Sequence, residues 1–113
     1  MTTYELADAL GWRFAVPGSE KEITCGYCGD LLSWVMGRAP QGSAWITVMT
    51  NVNVAAVASL CDVACVILAQ GAVPDDALRA RAAQEEMVIL MTDDDAYTAA
   101  VKLSRLLGED ARV

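Results

Sequence analysis

Short apolar runs that alternate with helical patterns are the feature that most constrains the fold of this chain. Such runs lie at residues 45–49, 64–68 and 88–91. Strands in the middle of a parallel sheet have this composition, because helices cover both of their faces. The alternation of strands with helices indicates right-handed crossovers. The sequence therefore predicts an α/β fold, in which a mostly parallel sheet carries helices on both faces.

The N-terminal region adds a helix and two strands to this pattern. Thr2 and Glu5 form a capping-box signature, and Gly11 supplies a left-handed stop for the first helix. Residues 12–16 alternate between apolar and other side chains, which predicts a strand with one apolar face. We expect this strand to pair antiparallel at one edge of the sheet, and residues 23–27 to form the next strand.

Four further helices are expected after this region. They begin at residues 29–30, at Asn51 or Asn53, at Pro74 and near Ala96. The last helix has an apolar stripe, formed by Ala96, Ala100, Leu103 and Leu107. No linker or repeat divides the chain, so residues 1–113 are predicted to form a single domain.

Charge and composition narrow the classes of partner. The formal net charge is −7, from 8 basic and 15 acidic residues, and there is no histidine. Such a chain repels phosphate backbones, so we expect no nucleic-acid partner and no anionic membrane surface. The N-terminus lacks a signal-peptide pattern, and polar residues interrupt the longest apolar stretch. We therefore expect a cytoplasmic protein.

The cysteines suggest an alternative function. Cys25 and Cys28 have the C-x-x-C spacing of a dithiol redox centre or of half a metal site. However, residues three apart in a strand point to opposite faces, and Asp30 would raise a nearby thiol pKa. Cys61, expected against the sheet, and Cys65, expected in a buried strand, are better explained as small core residues in a reducing compartment. We expect no metal and no cofactor.

A candidate ligand site lies where the strands end. Ligands of open parallel sheets bind beyond the carboxyl ends of the strands, which we call the carboxyl edge. No lysine or arginine is predicted there, and the chain has no phosphate-binding loop motif. The competing explanation is that the acidic and amide residues only cap helices, with Asp30 as the cap of the second helix. The candidate ligand-binding residues are Asp30, Thr50, Asn51, Asn53, Thr92 and Asp93.

The second helix is apolar on nearly all sides. Leu31, Trp34 and Val35 form one stripe, so one face of the sheet cannot cover the whole helix. With Trp12 and Trp45, this stripe would make an exposed hydrophobic patch and thus a homodimer interface. A fully internal helix beneath the N-terminal segment is the alternative.

Several of these residues also carry a family resemblance that covers nearly the whole chain. The chain resembles the DRTGG domain, whose relatives include the N-terminal domain of HPr kinase. The resemblance is carried by residues 29–33, by the strand at 44–50 that runs into Asn51 and Asn53, and by the Thr92-Asp93 step. The Asp-Arg-Thr-Gly-Gly pentapeptide itself is absent, so no role of that motif is transferred to this chain.

The resemblance implies a regulatory or assembly module, not a catalyst. Members occur free-standing or fused to phosphotransacetylases and pyrophosphatases, and the fused modules resemble dimerising units. We therefore expect a non-catalytic regulatory or protein-interaction module that forms a homodimer, with a further protein partner encoded nearby. A thiol redox or metal-binding protein that uses Cys25 and Cys28 is the alternative.

Overall fold

A computed structural model describes residues 1–108 as one α/β domain. Five helices and five strands alternate along most of the chain, as the sequence predicts. In chain order they are α1 (Thr3–Leu10), β1 (Arg13–Val16), β2 (Cys25–Cys28), α2 (Leu32–Arg38), β3 (Ser43–Thr47), α3 (Asn53–Cys61), β4 (Cys65–Leu68), α4 (Asp76–Gln84), β5 (Ile89–Met91) and α5 (Ala96–Leu107).

The five strands form one sheet in the order β1-β5-β4-β3-β2. Strands β2 to β5 are parallel neighbours, whereas β1 pairs antiparallel with β5 at the edge. Both the mostly parallel sheet and the antiparallel edge strand are thus confirmed. Because the parallel strands follow each other in a single direction, right-handed crossovers place α2, α3 and α4 on the same face.

Two apolar cores lie on the two faces of the sheet. On one face, α1 and α5 bury Leu6 and Leu103 against Ile46 and Ile67 of the central strands. On the other, α2, α3 and α4 cover a second cluster, built around Trp45, Val35, Val54 and Leu78. Strands β3 and β4 are buried along their whole length, since both of their faces are covered.

Strand β1 departs from the predicted single apolar face. Its register with β5 shifts between Phe14 and Val16. A bulge of this kind inserts one residue and reverses the side on which the following side chains lie. Consequently Val16 packs in the opposite core from Trp12, which lies in the α1–α5 core. Phe14, which precedes the bulge, is 41% exposed.

Helix ends follow the local signals closely in three cases. Thr2 and Glu5 form the expected capping box on α1, and Gly11 ends that helix in the left-handed conformation. Asp75 caps α4, with its carboxylate accepting from Leu78 N at 2.8 Å. No helix in residues 1–108 is long and apolar enough to cross a membrane.

Candidate functional site

The structure places the six predicted ligand-binding residues at the carboxyl edge. Asp30 follows β2, Thr50 and Asn51 follow β3, and Thr92 and Asp93 follow β5. Asn53 is the first residue of α3. The other five occupy three different loops, because each parallel strand ends at this edge before the chain enters a helix.

Asp30 connects two of these loops. Its Oδ1 accepts hydrogen bonds from the Thr47 hydroxyl at 2.7 Å and from Val48 N at 3.0 Å. The expected helix cap is wrong: α2 has Leu31 at its N-cap position, without a side-chain hydrogen bond. The backbone of Leu31 is still extended, so the helix starts one residue too late for the Asp30 carboxylate to reach its first N–H groups. Asp30 instead ties the β2–α2 loop to the end of β3.

The turn between β3 and α3 retains open polar groups. Asn51 Oδ1 accepts from Asn53 N at 2.9 Å, so one of the two candidate asparagines does satisfy an N–H at the start of α3. The formal cap residue is nevertheless Val52. The Thr50 carbonyl accepts from Asp75 N, which joins this turn to the start of α4. Within the described chain, no hydrogen bond engages the side chains of Thr50 and Asn53.

The third loop carries the carboxylates of residues 93–95, and two of them are paired with cations. Asp94 receives Lys102 Nζ at 2.7 Å, and Asp93 lies 3.5 Å from the Arg13 guanidinium. Asp95 caps α5, and the hydrogen bond from Thr98 N lowers the pKa of its carboxyl. The expectation of an edge without basic residues is therefore wrong.

Thr92, the fourth polar residue of this loop, is buried. Its hydroxyl accepts from Asp94 N at 3.1 Å, so the side chain helps to hold the turn that begins α5. Its bonding capacity is thus partly used inside the fold.

The position of Arg13, one of these two cations, becomes apparent only from the pairing of β1 with β5. Arg13 lies opposite Met91 in the antiparallel register, which brings its side chain to the end of β5. Lys102 lies on α5, eight residues after Asp94, a spacing that the sequence analysis did not use. Both pairs lie at the surface, with only the Asp94 side chain partly buried, and such pairs contribute little to stability.

The junction of β4 and β5 has the topology of a ligand crevice. The chain leaves β4 toward α4 on one face and leaves β5 toward α5 on the other, and such divergence opens a cleft in many α/β proteins. Here the two loops are hydrogen-bonded to each other. Gln70 N donates to Asp94 O at 2.7 Å, and Gly71 N donates to Thr92 O at 3.0 Å. The crevice is consequently bridged by backbone, and the Asp93 carboxylate lies beside Gly71.

The carboxyl edge carries no recognisable metal centre. Within residues 1–108, no group of three or more cysteine, aspartate or glutamate side chains is arranged to hold a metal ion. The acidic run at 93–95 is divided between two ion pairs and a helix cap, so its carboxylates do not converge.

The four cysteines are free thiols. Cys25 and Cys28 both lie in β2, where residues three apart project to opposite faces. Desolvation raises the pKa of the Cys28 thiol, although its residue is exposed at the strand end, and the Asp30 carboxylate raises it further. These settings do not favour a reactive thiolate.

The second pair of cysteines differs in burial. Cys65 is fully buried in β4, as expected, and burial raises its pKa to about 12. Cys61 lies partly exposed beside α2, with its thiol 3.6 Å from the Val35 and Met36 carbonyls. Cys61 is thus partly buried against the core on this face of the sheet, at the point where the end of α3 meets α2.

The predicted stripe on α2 is divided between core and surface. Leu31 and Trp34 are 58% and 56% exposed, whereas Val35 is fully buried. The guanidinium of Arg38 lies over the Trp34 ring, 4.1 Å from its centroid. The prediction that Val35 belongs to an exposed interface is therefore wrong, since a helical turn of 100° per residue points it at the sheet.

The expected contribution of two other tryptophans to this surface is also wrong. Trp45 is fully buried under the helices, and its indole N–H donates to Gly29 O at 2.9 Å. Trp12 is buried on the opposite face of the sheet. The alternative of a fully internal α2 is excluded by the exposure of Trp34, and the N-terminal helix packs on the other face.

Within residues 1–108, cavities also lie away from the carboxyl edge, and the sequence did not predict them. One, of about 290 Å³, opens at the amino ends of the strands, with Lys21, Thr24, Gln41 and Asp62 among its lining residues. Another, of about 310 Å³, lies between α1 and β1. Their walls come from segments that are far apart in sequence or not periodic, so only the folded chain brings them together.

Comparison with known proteins gives one informative result. No curated protein matches this chain. The family model of the DRTGG domain matches residues 33–106, which run from the first turn of α2 almost to the end of α5. The matched region is shorter than expected, since the resemblance was expected to cover nearly the whole chain. It includes Ser33 but not residues 29–32, which were also expected to belong to the family pattern. Domains of this family are generally regulatory or ligand-binding modules. Since the matched region spans most of the chain, this protein belongs to the DRTGG domain family.

Proposed function

We propose that this protein is a non-catalytic regulatory module that acts through protein association, and that it forms a homodimer through the outer surface of α2. The observation that carries the proposal is the exposure of Trp34 and Leu31 on a helix that is anchored by buried Val35. Large aromatic side chains at the centre of an exposed patch are typical anchors of protein interfaces.

The energetics of this surface favour association. Covering the Trp34 indole together with Leu31 and Met36 would remove a few hundred Å² of apolar surface from water on the two partners. At about 25 cal/mol per Å² this offsets a substantial part of the entropy lost on association. Despite the net charge of −7, residues 31–38 contain no carboxylate, so two copies of this helix can approach without direct repulsion.

The absence of catalysis is proposed from the way the polar groups at the carboxyl edge are used. Asp30, Asp94 and Asp95 are engaged by a hydroxyl, an ammonium and a backbone N–H. No described pair there has the geometry of a nucleophile and its base. We expect no turnover of nucleotides or phosphoesters by this protein. Reproducible hydrolysis that is lost on replacing Asp30 or Asp93 would contradict this part of the proposal.

A small polar ligand at the carboxyl edge is the finer part of the same proposal. The open hydrogen-bonding groups of Thr50 and Asn53 lie in one turn, with Asn51 between them. Asp30, Thr92 and Asp93 would complete such a site at neighbouring strand ends. A ligand bound next to α3 would be the signal to which the module responds. A protein encoded nearby would be the partner that the module regulates.

Sedimentation velocity on three proteins tests the homodimer. Wild type is expected to sediment as a dimer at micromolar concentration, and Trp34→Glu as a monomer, because the charge would be buried at the interface. Tyr97→Glu is the matched control, since it also replaces an exposed aromatic residue, 80% exposed on α5, on the other face of the sheet. It should remain a dimer.

Circular dichroism shows whether the variants are folded. A monomeric wild type, or a Trp34→Glu protein that unfolds, would overturn the interface. If both variants remain dimeric, the dimer interface lies on another surface and the proposed role of α2 is wrong.

A further inference from the structure

The surface of α2 carries one charge of each sign, at opposite ends of the helix. Asp30 precedes α2 at the carboxyl edge of the sheet. Arg38 is the last residue of α2, where the chain returns to the start of β3. Both residues are exposed, and Trp34 lies midway, four residues from each of them. The surface of the proposed homodimer is therefore polarised along the axis of the helix.

The Arg38 side chain is held at this surface without a charged partner. Its guanidinium lies over the Trp34 ring, 4.1 Å from the ring centroid. Stacking uses one flat side of the guanidinium and leaves its N–H donors, which lie in the plane of the group, free to bond. Among residues 1–108, no carboxylate forms an ion pair with Arg38. A carboxylate from another molecule can therefore pair with Arg38 while the guanidinium stays on the ring.

The Asp30 carboxylate also has unused bonding capacity. Its Oδ1 accepts both of its hydrogen bonds, from the Thr47 hydroxyl and from Val48 N. No described residue donates a hydrogen bond to its other oxygen, Oδ2. A carboxylate has room for about four hydrogen bonds. Asp30 can thus pair with a cation and keep the bonds that hold it to the end of β3.

The positions of these two charges select one packing of two α2 helices. In an antiparallel pair with a twofold axis at Trp34, a residue four positions after Trp34 lies opposite the residue four positions before it in the other copy. Arg38 of each copy then meets Asp30 of the other. A parallel pair would instead bring like charges together at both ends, and like charges repel. Charge complementarity therefore favours the antiparallel pair.

We propose that two copies of this protein pack their α2 helices antiparallel about a twofold axis at Trp34, with Arg38 of each copy paired with Asp30 of the other. This inference rests on the proposed homodimer and specifies its geometry. The two Trp34 side chains lie at the centre of the interface, and one ion pair lies at each end. Arg38 of the second copy reaches the carboxyl edge, so the dimer supplies a basic side chain to the β2–α2 loop of each copy.

Zero-length chemical cross-linking tests the pairing of Arg38 with Asp30. Arg38→Lys keeps the positive charge and supplies an amine, which a carbodiimide couples to a carboxyl group in contact with it. We expect a covalent dimer, in which mass spectrometry locates the link between position 38 of one copy and Asp30 of the other. Adding Asp30→Asn keeps an acceptor for Thr47 but removes the carboxyl group, so this link should disappear.

Reversing one charge provides an independent measurement. Arg38→Glu should raise the dissociation constant of the dimer about tenfold, which is the size of effect expected when two surface ion pairs are lost. Arg105→Glu is the matched control, because it makes the same change of charge at an exposed position on α5, on the other face of the sheet. It should leave the dissociation constant unchanged. Sedimentation equilibrium measures both variants.

These experiments separate the geometry of the dimer from its existence. The antiparallel pairing is wrong, although α2 remains the interface, if Trp34→Glu abolishes the dimer but no link forms between position 38 and Asp30. It is also wrong if Arg38→Glu does not weaken the dimer, or if Arg105→Glu weakens it equally. A monomeric wild type would overturn both the pairing and the homodimer.

Discussion

The carboxylate of Asp30 and the hydroxyl of Thr47 form a 2.7 Å hydrogen bond that joins the loop after β2 to the last residue of β3. Thr47 is 1% exposed, so its hydroxyl depends on this partner. The same carboxylate oxygen accepts from Val48 N. A residue that looks like a helix cap in the sequence therefore acts as a connection between neighbouring strands.

Replacing Asp30 should destabilise the domain without changing its fold. Asp30→Ala leaves the buried Thr47 hydroxyl without its acceptor, and we expect a loss of about 1–3 kcal/mol in the free energy of unfolding. Asp30→Asn keeps an acceptor oxygen and should lose less. Urea denaturation measures both. Asp8→Ala is the control, since this exposed carboxylate has no described partner and should cause no loss. Equal stability of wild type and Asp30→Ala would contradict the structural role.

Two glycines should respond in opposite ways to alanine. Gly18 has φ +49°, and a Cβ there would lie 2.5 Å from the Met87 carbonyl carbon and 2.6 Å from Glu86 O. Since these are backbone atoms, Gly18→Ala should destabilise the domain by more than about 1 kcal/mol. Gly37, within α2, has no neighbouring atom in the way. Gly37→Ala should stabilise by about 0.5–1 kcal/mol. Thermal unfolding of both variants tests the pair, and a tolerated Gly18→Ala would mean that the turn before β2 is displaced.

The cysteines should differ in reactivity according to their burial. Burial raises the pKa of Cys65 to about 12, so at neutral pH its thiol should react with a thiol reagent only when the domain opens. Cys28 should react more slowly than an exposed free thiol, because desolvation and Asp30 raise its pKa. Mass spectrometry after timed labelling identifies each site. All four thiols should react in urea, and the unlabelled denatured protein should have the mass of the fully reduced chain. Rapid labelling of Cys28 would revive the redox alternative.

The cap on α5 should make a pH-dependent contribution to stability. The hydrogen bond from Thr98 N lowers the pKa of Asp95 below its ordinary value of 3.8. A carboxyl whose pKa is lowered by folding stabilises the folded state above the unfolded pKa, and this contribution is lost as the pH falls through the folded pKa. An asparagine at this position would cap the helix without titrating. As the pH falls below 3.8, the urea concentration at the midpoint of unfolding should therefore decrease more for wild type than for Asp95→Asn. A difference in midpoint that is independent of pH would show that Asp95 does not titrate with folding.

The sequence predicts the architecture well because the signals involved are local. The apolar runs at β3 and β4 result from covering both faces of a strand, and the capping box at Thr2 and the glycine stop at Gly11 need only neighbouring residues. The predicted boundaries differ by a few residues: β3 begins at Ser43 instead of at 45, and β2 at Cys25 instead of at 23. Apolar composition does not show which residue is the first to form hydrogen bonds with the neighbouring strand.

The candidate residues are less well determined by the sequence than the elements that carry them. All six predicted polar residues lie at the carboxyl edge, as strand direction requires. However, the sequence does not show that Arg13 and Lys102 reach the same edge, or that Asp30 bonds to Thr47 instead of to a helix N-terminus. These contacts join residues that are far apart along the chain, and no periodic pattern encodes them.

The sequence by itself determined the order of helices and strands, the mostly parallel sheet, the antiparallel edge strand and the family, because propensity, capping and apolar periodicity act over a few residues. Tertiary structure alone decided that Val35 is buried while Trp34 is exposed, that a bulge moves Val16 to the opposite core from Trp12, and that the loops after β4 and β5 are bonded to each other. The physical reason is that the side a residue faces depends on the register and packing of its whole element, which long-range contacts fix only when the chain has folded.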